Sequence, residues 1–283
     1  MFPTPIDKTS APVRTLYKAA LPVALLVWLA PIIAVALTSI RGQADLTAGN
    51  YWGLPTDWHI AENYSAVFTN TPIVQYILNS FLVTIPTVIG AVALSCLAGF
   101  ALGVYRFKLN LAVFFLFVGG NFVPFQILMV PVRDLSLRLG LYDTITGLIL
   151  FHVAFQAGFC TFFMRNFIRD LPHELIDAAR VEGASEWQIF WKVVLPLVRP
   201  AIAALAVLIF TFIWNDYFWA TVLIQGDHAM PVTGGLKTLN GQWVAQWQLV
   251  SAGSIVAALP PVLIFFAMQK HFIAGLTMGA TKG

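Results

Sequence analysis

Residues 78–104 read LNSFLVTIPTVIGAVALSCLAGFALGV, 27 positions without one Asp, Glu, Lys or Arg. A helix needs about 20 apolar residues to cross the hydrocarbon of a bilayer, and this stretch is long enough. Its Pro86 is tolerated in a membrane helix where neighbouring helices satisfy the freed carbonyl, so it predicts a kink rather than an end. Outward from it the same signal recurs. Residues 19–40, 109–132, 144–164 and 238–269 carry no charge, and 200–224 carries only Asp216. The uncharged run extends back to residue 63, but Asn63, Tyr64, Asn70, Thr71, Pro72 and Gln75 read as a loop-like or interfacial approach. Six transmembrane helices are predicted, near 19–40, 78–104, 110–131, 144–164, 200–224 and 249–269, with Pro124 kinking the third. The fold class is an all-α membrane protein, one transmembrane domain over 1–283.

Composition agrees. Of 283 residues 59% are apolar and 10% charged, against roughly 25% charged in a soluble domain, too few to clothe a water-facing surface. A secreted domain, a cytosolic enzyme and a disordered tail are excluded, and a net charge of +3 is too small to argue for nucleic acid. Cys96 and Cys160 fall in apolar runs and read as small core residues rather than redox or metal groups.

Positive charge sets the orientation. With the N-terminus inside, twelve of the 16 Lys and Arg fall on the cytoplasmic side, from Lys8, Arg14 and Lys18 through Arg165 and Arg169 to Lys270 and Lys282. Arg41, Arg133, Arg138 and Lys237 fall outside, a bias that puts both termini in the cytoplasm. The first span reads as an uncleaved anchor, having no convincing small-residue cleavage site. The outer segments, about 41–77 and 225–248, carry Trp52, Trp58, His59, Tyr64, Trp243 and Trp247. These read as interfacial aromatics, with a docking surface for an external partner as the sharper alternative.

The inner segment 165–199, RNFIRDLPHELIDAARVEGASEWQIFWKVVLPLVR, is the most charged stretch. Pro172 suits a first helical turn, Glu174 and Asp177 suit its positive end, and Ala178 and Ala179 propagate it. A short helix over 172–182 is expected. Gly183 then breaks it, and Ser185 with Gln188 three residues later signals a capping box for a second helix ending at Pro196. That helix is expected to turn Ile189, Phe190, Val193, Val194 and Leu197 toward apolar surroundings. An interfacial hairpin would have the same composition.

This segment resembles the EAA loop of the membrane subunits of bacterial ABC importers: Glu-Ala-Ala, three residues, Gly, nine residues, Ile, one residue, Leu-Pro. Here stand Asp177-Ala178-Ala179, Gly183, Val193 and Leu195-Pro196 at the same spacing, with Asp177 in place of Glu, Val193 in place of Ile, and Glu182 where an Asp commonly precedes the glycine. NSFLVT at 79–84, LGLYDTITGLIL at 139–150, IWNDYFWA at 213–220 and FIAGLTMGATKG at 272–283 are similar to carbohydrate-importer permeases of the MalG type, in the same order.

The resemblance implies a permease subunit whose loop is a coupling helix seated in a groove of a cytoplasmic ATPase. Glu174, Asp177, Ala178, Ala179, Glu182 and Gly183 are then the coupling residues, the small ones permitting close approach and the acids meeting basic groups. It further implies a second homologous permease, two ATPase subunits that hold ATP and Mg, an extracytoplasmic solute-binding protein, and a tail with Gly275, Gly279, Ala280 and Gly283 that reaches the ATPase interface. The solute class it implies is a sugar, oligosaccharide, polyol or glycerol-phosphate-like compound.

The residues themselves offer no G-x-x-x-x-G-K-[ST] phosphate loop, so hydrolysis is expected on another chain. Nor do they offer a catalytic or metal-ligand cluster; His59, His173, His228 and His271 are scattered. Polar groups inside spans are costly and mark packing interfaces or a hydrophilic path. The candidates are Asn121, Gln126, His152, Gln156, Trp214, Asn215, Asp216 and Trp219, with Asn79 beside them. His152 and Gln156 share one face, as do Asn215 and Trp219 on an unbroken helix. Asp216, about 24 Å along that helix, is placed toward the outer leaflet, where it is also a candidate for the outer gate. A stand-alone secondary transporter or channel is the alternative; it calls for inverted repeats or several buried ionisable groups.

Overall fold

The structure is a computed structural model and describes residues 10–240 and 246–278, with side chains as far as Gln269. Lys8, Trp243, Gly279, Ala280, Lys282 and Gly283 lie outside the described residues, as do the side chains of Lys270 and His271. The chain divides into two bodies, Met1–Thr71 with Thr238–Val256, and Pro72–Lys237 with Ala257–Gly283. Among the described residues every regular element is helical, and the single extended pairing is the bridge between Arg41 and Trp58.

In the first body, α1 (Ala11–Ser39) begins with Pro12 in its first turn and runs through Pro22 and Pro31. It is apolar all round, the mark of a helix with an apolar solvent: Leu16, Val27 and Trp28 are at least 70% exposed and only Ser39 is buried. The segment after it is folded rather than open, with α2 (Gln43–Thr47) and α3 (Ile60–Thr69). Its nail is the fully buried Arg41, which donates to the carbonyls of Asn50 and Gly53 and lies 3.9 Å from Asp45. Asp45 in turn accepts from the Thr56 hydroxyl and from the Thr56 N–H at 2.9 Å, and these hydrogen bonds hold its carboxyl below the usual range. Asn63 completes the knot by donating to the Arg41 and Ser39 carbonyls at 2.7 and 3.0 Å. Of the loop-like or interfacial approach read at Asn63, Tyr64, Asn70, Thr71, Pro72 and Gln75, the loop-like reading does not hold for Asn63 and Tyr64, which lie on α3, or for Gln75, which lies in a helix that begins at Ile73.

The second body is built on α4 (Ile73–Val104) and α7 (Ile145–Arg169), its central pair. Gly99 and Gly103 lie one turn apart on α4. A Cβ on Gly99 would meet the Arg165 nitrogen at 2.9 Å and the Met164 Cβ at 3.0 Å, and one on Gly103 the Ile168 Cγ2 at 3.3 Å. Small residues at this spacing let two membrane helices approach backbone to backbone. Cys96 and Cys160 are buried and unbridged within this pair.

Around the pair run α5 (Asn110–Gly120), α6 (Met129–Arg138), α8 (His173–Val181), α9 (Glu186–Ile189), α10 (Leu195–Leu197), α11 (Arg199–Trp214), α12 (Phe218–Leu223) and α13 (Val232–Gly235). The last helix, α14 (Trp247–Met278), enters both bodies.

Among the described residues four helices are long and apolar enough to cross a membrane, α1, α4, α7 and α14; two further pairs qualify only as bent spans. The third predicted span, 110–131, is one of these. It breaks after Gly120 and turns by 85° before continuing at Phe125. Gly119 and Gly120 weaken its end, Asn121 folds its amide back on the Phe117 and Val118 carbonyls, and Pro124 disfavours helix in the residue before it. The break is a right-angle bend between two helices rather than a kink within one. The fifth, 200–224, stops at Trp214 and restarts as α12. Before it, the helix expected to end at Pro196 runs on to Leu197 through a π turn, Phe190–Val194, in which the Leu195 N–H reaches the Phe190 carbonyl. The wider turn relieves the clash of the proline ring with the preceding turn. A 73° bend then leads into α11. Ile189, Phe190 and Val194 are buried within the protein, Val193 is half-buried, Leu197 lies on the protein's surface, and Val198 is buried after it.

Candidate functional site

Where α5 ends, α7 passes and α11 gives way to α12, the fold leaves a cavity of about 430 Å³. Asn121, His152, Gln156, Asp216 and Trp219 line it together with the rings of Phe125, Phe155, Phe159 and Phe212. Five of the eight candidate path residues, drawn from three separate stretches of chain, thus meet at one place.

Asp216 organises the break. Its carboxylate accepts from the Trp219 N–H at 3.3 Å and the Ala220 N–H at 3.0 Å, capping the first turn of α12. The oxygen that takes the Ala220 bond lies 3.5 Å from Nε2 of the buried His152. Asp216 is therefore a hinge between two short helices and not a residue of one long one. Its backbone carbonyl accepts from the Thr233 hydroxyl at 2.5 Å, tying the hinge to α13. Trp219 is 3% exposed, its ring centroid 4.1 Å from that of Phe151, and its indole Nε1 has no hydrogen-bond partner among the described residues. A buried donor left unpaired costs free energy comparable to a lost hydrogen bond. The amide, imidazole and carboxylate groups that line the cavity suit an oxygen-rich ligand whose apolar faces rest on the aromatic rings.

The other three candidates are elsewhere. Trp214 is buried, donates from Nε1 to the Ala257 carbonyl at 3.0 Å and packs edge-on against Phe81 at 4.8 Å. Asn215 is exposed and folds its amide onto the Thr211 carbonyl at 2.9 Å; the break removes it from the face of Trp219. Gln126 is exposed on the 3-10 turn Phe125–Leu128 and is not part of the lining. Asn79 serves packing, its amide donating to the His228 and Met230 carbonyls at 3.1 and 3.0 Å.

The segment after α7 forms an elbow. Gly183 has φ +85°, a conformation open to glycine and strained for other residues, and the capping box forms as expected: the Gln188 N–H donates to Ser185 Oγ at 3.3 Å and the Ser185 N–H to Gln188 Oε1 at 2.8 Å. Glu174, Asp177, Ala178, Glu182 and Gly183 are exposed and Ala179 half-buried. Asp177 is already paired: Arg180 donates to it at 3.1 Å and to Glu186 at 2.8 Å. Glu186 also accepts from the Tyr105 hydroxyl at 2.6 Å. These bonds, Arg180's first, hold Glu186 below the usual carboxylate range; burial and then the Glu186 contact push Tyr105 up to about 12. Sequence reasoning missed Arg180, Glu186 and Tyr105 as members of the elbow. Arg180 and Glu186 straddle Gly183, which was a signal; nothing local pointed to Tyr105.

Residues 77–277, which contain both the cavity and the elbow, match the family described as the binding-protein-dependent transport system inner membrane component. The chain belongs to that family. It is 34% identical over 251 residues to a probable ABC transporter permease of Pyrococcus horikoshii, covering 88% of this chain and 91% of that one. It is also 34% identical over 256 residues to the arabinooligosaccharides transport permease AraQ of Halalkalibacterium halodurans, covering 89% and 91%. In fold it is similar to a chain in the crystal structure of a bacterial ABC transporter that imports the acidic polysaccharide alginate, with TM-score 0.79, 24% identity and coverage of 93% and 99%. A chain in a further crystal structure of a bacterial alginate ABC transporter, in complex with an alginate pentasaccharide-bound periplasmic protein, gives TM-score 0.67, 18% identity and coverage of 90% and 92%. As a binding-protein-dependent permease subunit the chain is a multi-pass membrane protein, and its chemistry is passage rather than catalysis.

Proposed function

We propose that this subunit conducts a sugar or sugar-like solute, an oligosaccharide, polyol or glycerol-phosphate-like compound, and that the cavity at the α11–α12 break lines its route. The observation that carries this is the meeting of Asn121, His152, Gln156 and Asp216 with the Trp219 ring and four phenylalanine rings in one cavity. The naming of relatives for arabinooligosaccharide and α-glucoside transport supports the class. Uptake of labelled sugars by cells carrying the importer, with Trp219→Ala compared against wild type, tests it. Unaltered affinity and rate for every transported sugar would remove the cavity from the path.

We further propose the arrangement in which the subunit works. A second permease completes the route, two ATPase subunits bind ATP and Mg, an extracytoplasmic protein delivers the solute, and both termini face the cytoplasm of a bacterial inner membrane. The elbow at Glu174, Asp177, Ala178, Ala179, Glu182 and Gly183 receives the closing motion of the ATPases, and alternating access follows. The exposed small residues of α8 and the rigid turn at Gly183 support the assignment. Asp177→Lys combined with Gly183→Pro is expected to abolish uptake while leaving the subunit in the membrane; normal uptake by that variant would refute it. Reporter fusions at both termini test the orientation, and uptake that persists without ATP but collapses with the proton gradient would favour the secondary transporter.

A further inference from the structure

A second cavity is larger than the one on the proposed route. About 670 Å³ in volume, it lies between the end of α4, the start of α5 and the end of α7. Its charged lining is of one sign: Arg106, Lys108, Arg165 and Arg169, with His173 beside them and no Asp or Glu. The acids nearest in sequence, Asp170 and Glu174, do not line it.

Arg165 is nine-tenths buried. Its Nε donates to the Leu102 carbonyl at 3.2 Å and its guanidinium lies 4.0 Å over the Phe114 ring, while neither terminal nitrogen makes a hydrogen bond among the described residues. Arg106, Lys108 and Arg169 likewise have no hydrogen bond or ion pair there. Arg165 and Arg169, one turn apart, repel each other. The first turn of α5 opens onto the same space without a side-chain cap, adding the positive end of a helix. A cavity that gathers this much uncompensated positive charge around a held guanidinium is built for an anion. Its rim indicates which kind. Leu111 and Phe115, one turn apart on α5, are 58% and 59% exposed, an apolar track leading away from the cations at the level where the apolar helices end.

We propose that this cavity holds the phosphodiester headgroup of an anionic membrane lipid, with its acyl chains along α5. Basic pockets between membrane helices at the headgroup level bind such lipids.

The chain is purified in mild detergent together with the subunits that accompany it, exchanged against mixed phosphatidylcholine and phosphatidylglycerol, and its retained lipid is counted by native mass spectrometry. Selective retention of phosphatidylglycerol is expected, weakened roughly 30-fold in Arg106→Gln with Lys108→Gln, which removes two interfacial cations at exposed positions remote from the α4–α7 contact. Arg165→Gln is expected to weaken it as well, and the exposed double variant keeps the test valid if that change disturbs folding. Equal retention of both lipids, or retention unchanged in the double variant, overturns the proposal. Displacement by millimolar inorganic phosphate overturns it in favour of a free-anion site. Cross-linking of position 106 to an acidic segment of an accompanying subunit overturns it in favour of a protein contact.

Discussion

The hydroxyl of Tyr105, at the end of α4, donates to Glu186 Oε2 at 2.6 Å across 81 residues of sequence. The bond fastens the first turn of α9 to a long helix of the core, and Arg180 reaches the same carboxylate from α8. The elbow is thus held at three points, and its angle is set by the α4 terminus rather than by Gly183 alone.

Tyr105→Phe is accordingly expected to loosen the elbow without unfolding the subunit. The loss is that of one charge-assisted hydrogen bond at a partly exposed site, about 1 kcal/mol. ATP consumption should persist while uptake per ATP falls. Measurement of both in reconstituted vesicles decides; an unchanged ratio would mean the bond plays no part in coupling.

The pH window of this clamp follows from its two titrations. Glu186 is depressed below its ordinary 4.5, so its contribution is complete above that value and is lost as pH falls through the lower folded value. Tyr105 is raised from 10 to about 12, so its neutral form is favoured up to 10 and its contribution is lost as pH rises through 12. Proteolytic susceptibility of the elbow should be flat between about pH 5 and 10, and increased protection outside those limits would contradict the assignment.

Gly183→Ala forces a side chain into φ +85°, a cost of about 1–2 kcal/mol. Open space surrounds the position, so the cost is conformational and not steric. Membrane levels should be near normal and uptake reduced several-fold, with Gly183→Asn milder because Asn tolerates this conformation. Equal uptake in all three proteins would count against the elbow geometry.

Gly99→Leu should act through a different physics. Even a Cβ there presses on the backbone of Arg165, which cannot rotate away, so overpacking of the α4–α7 seam is expected to cost about 1–3 kcal/mol or more. Thermal unfolding of the detergent-purified protein should shift downward, whereas Gly119→Leu, with nothing within 4 Å, should leave it in place.

At the break, Asp216→Ala removes the cap of α12 and the partner of His152, and a loss of about 0.5–2 kcal/mol is expected. Asp216→Asn keeps an oxygen toward the α12 N–H groups and should retain most of the stability. Gln156→Leu removes one of the amides that line the cavity; about tenfold weaker apparent solute affinity, the worth of one hydrogen bond in a buried site, is expected with maximal uptake little changed.

Much of this molecule was legible in its sequence because the signals were local. Gaps between charges located α1, α4, α7 and α14, since a bilayer demands uninterrupted apolar length whatever the packing. Ser185, Gln188 and Gly183 announced the elbow, because capping and positive φ depend on residues within a few positions. The contact of Gly99 and Gly103 with α7 emerged only from the structure. Hydropathy could not see the breaks at Asn121–Pro124 and Asn215–Tyr217: a break of three or four residues flanked by apolar helices barely changes the average over a window long enough to span a membrane. The convergence of Asn121, His152, Gln156, Asp216 and Trp219, the exclusion of Trp214, Asn215 and Gln126, and the reach of Tyr105 to Glu186 were decided by the tertiary structure alone. Apolar pattern specifies that a face is buried, but which polar groups then meet depends on how helices distant in sequence turn against one another.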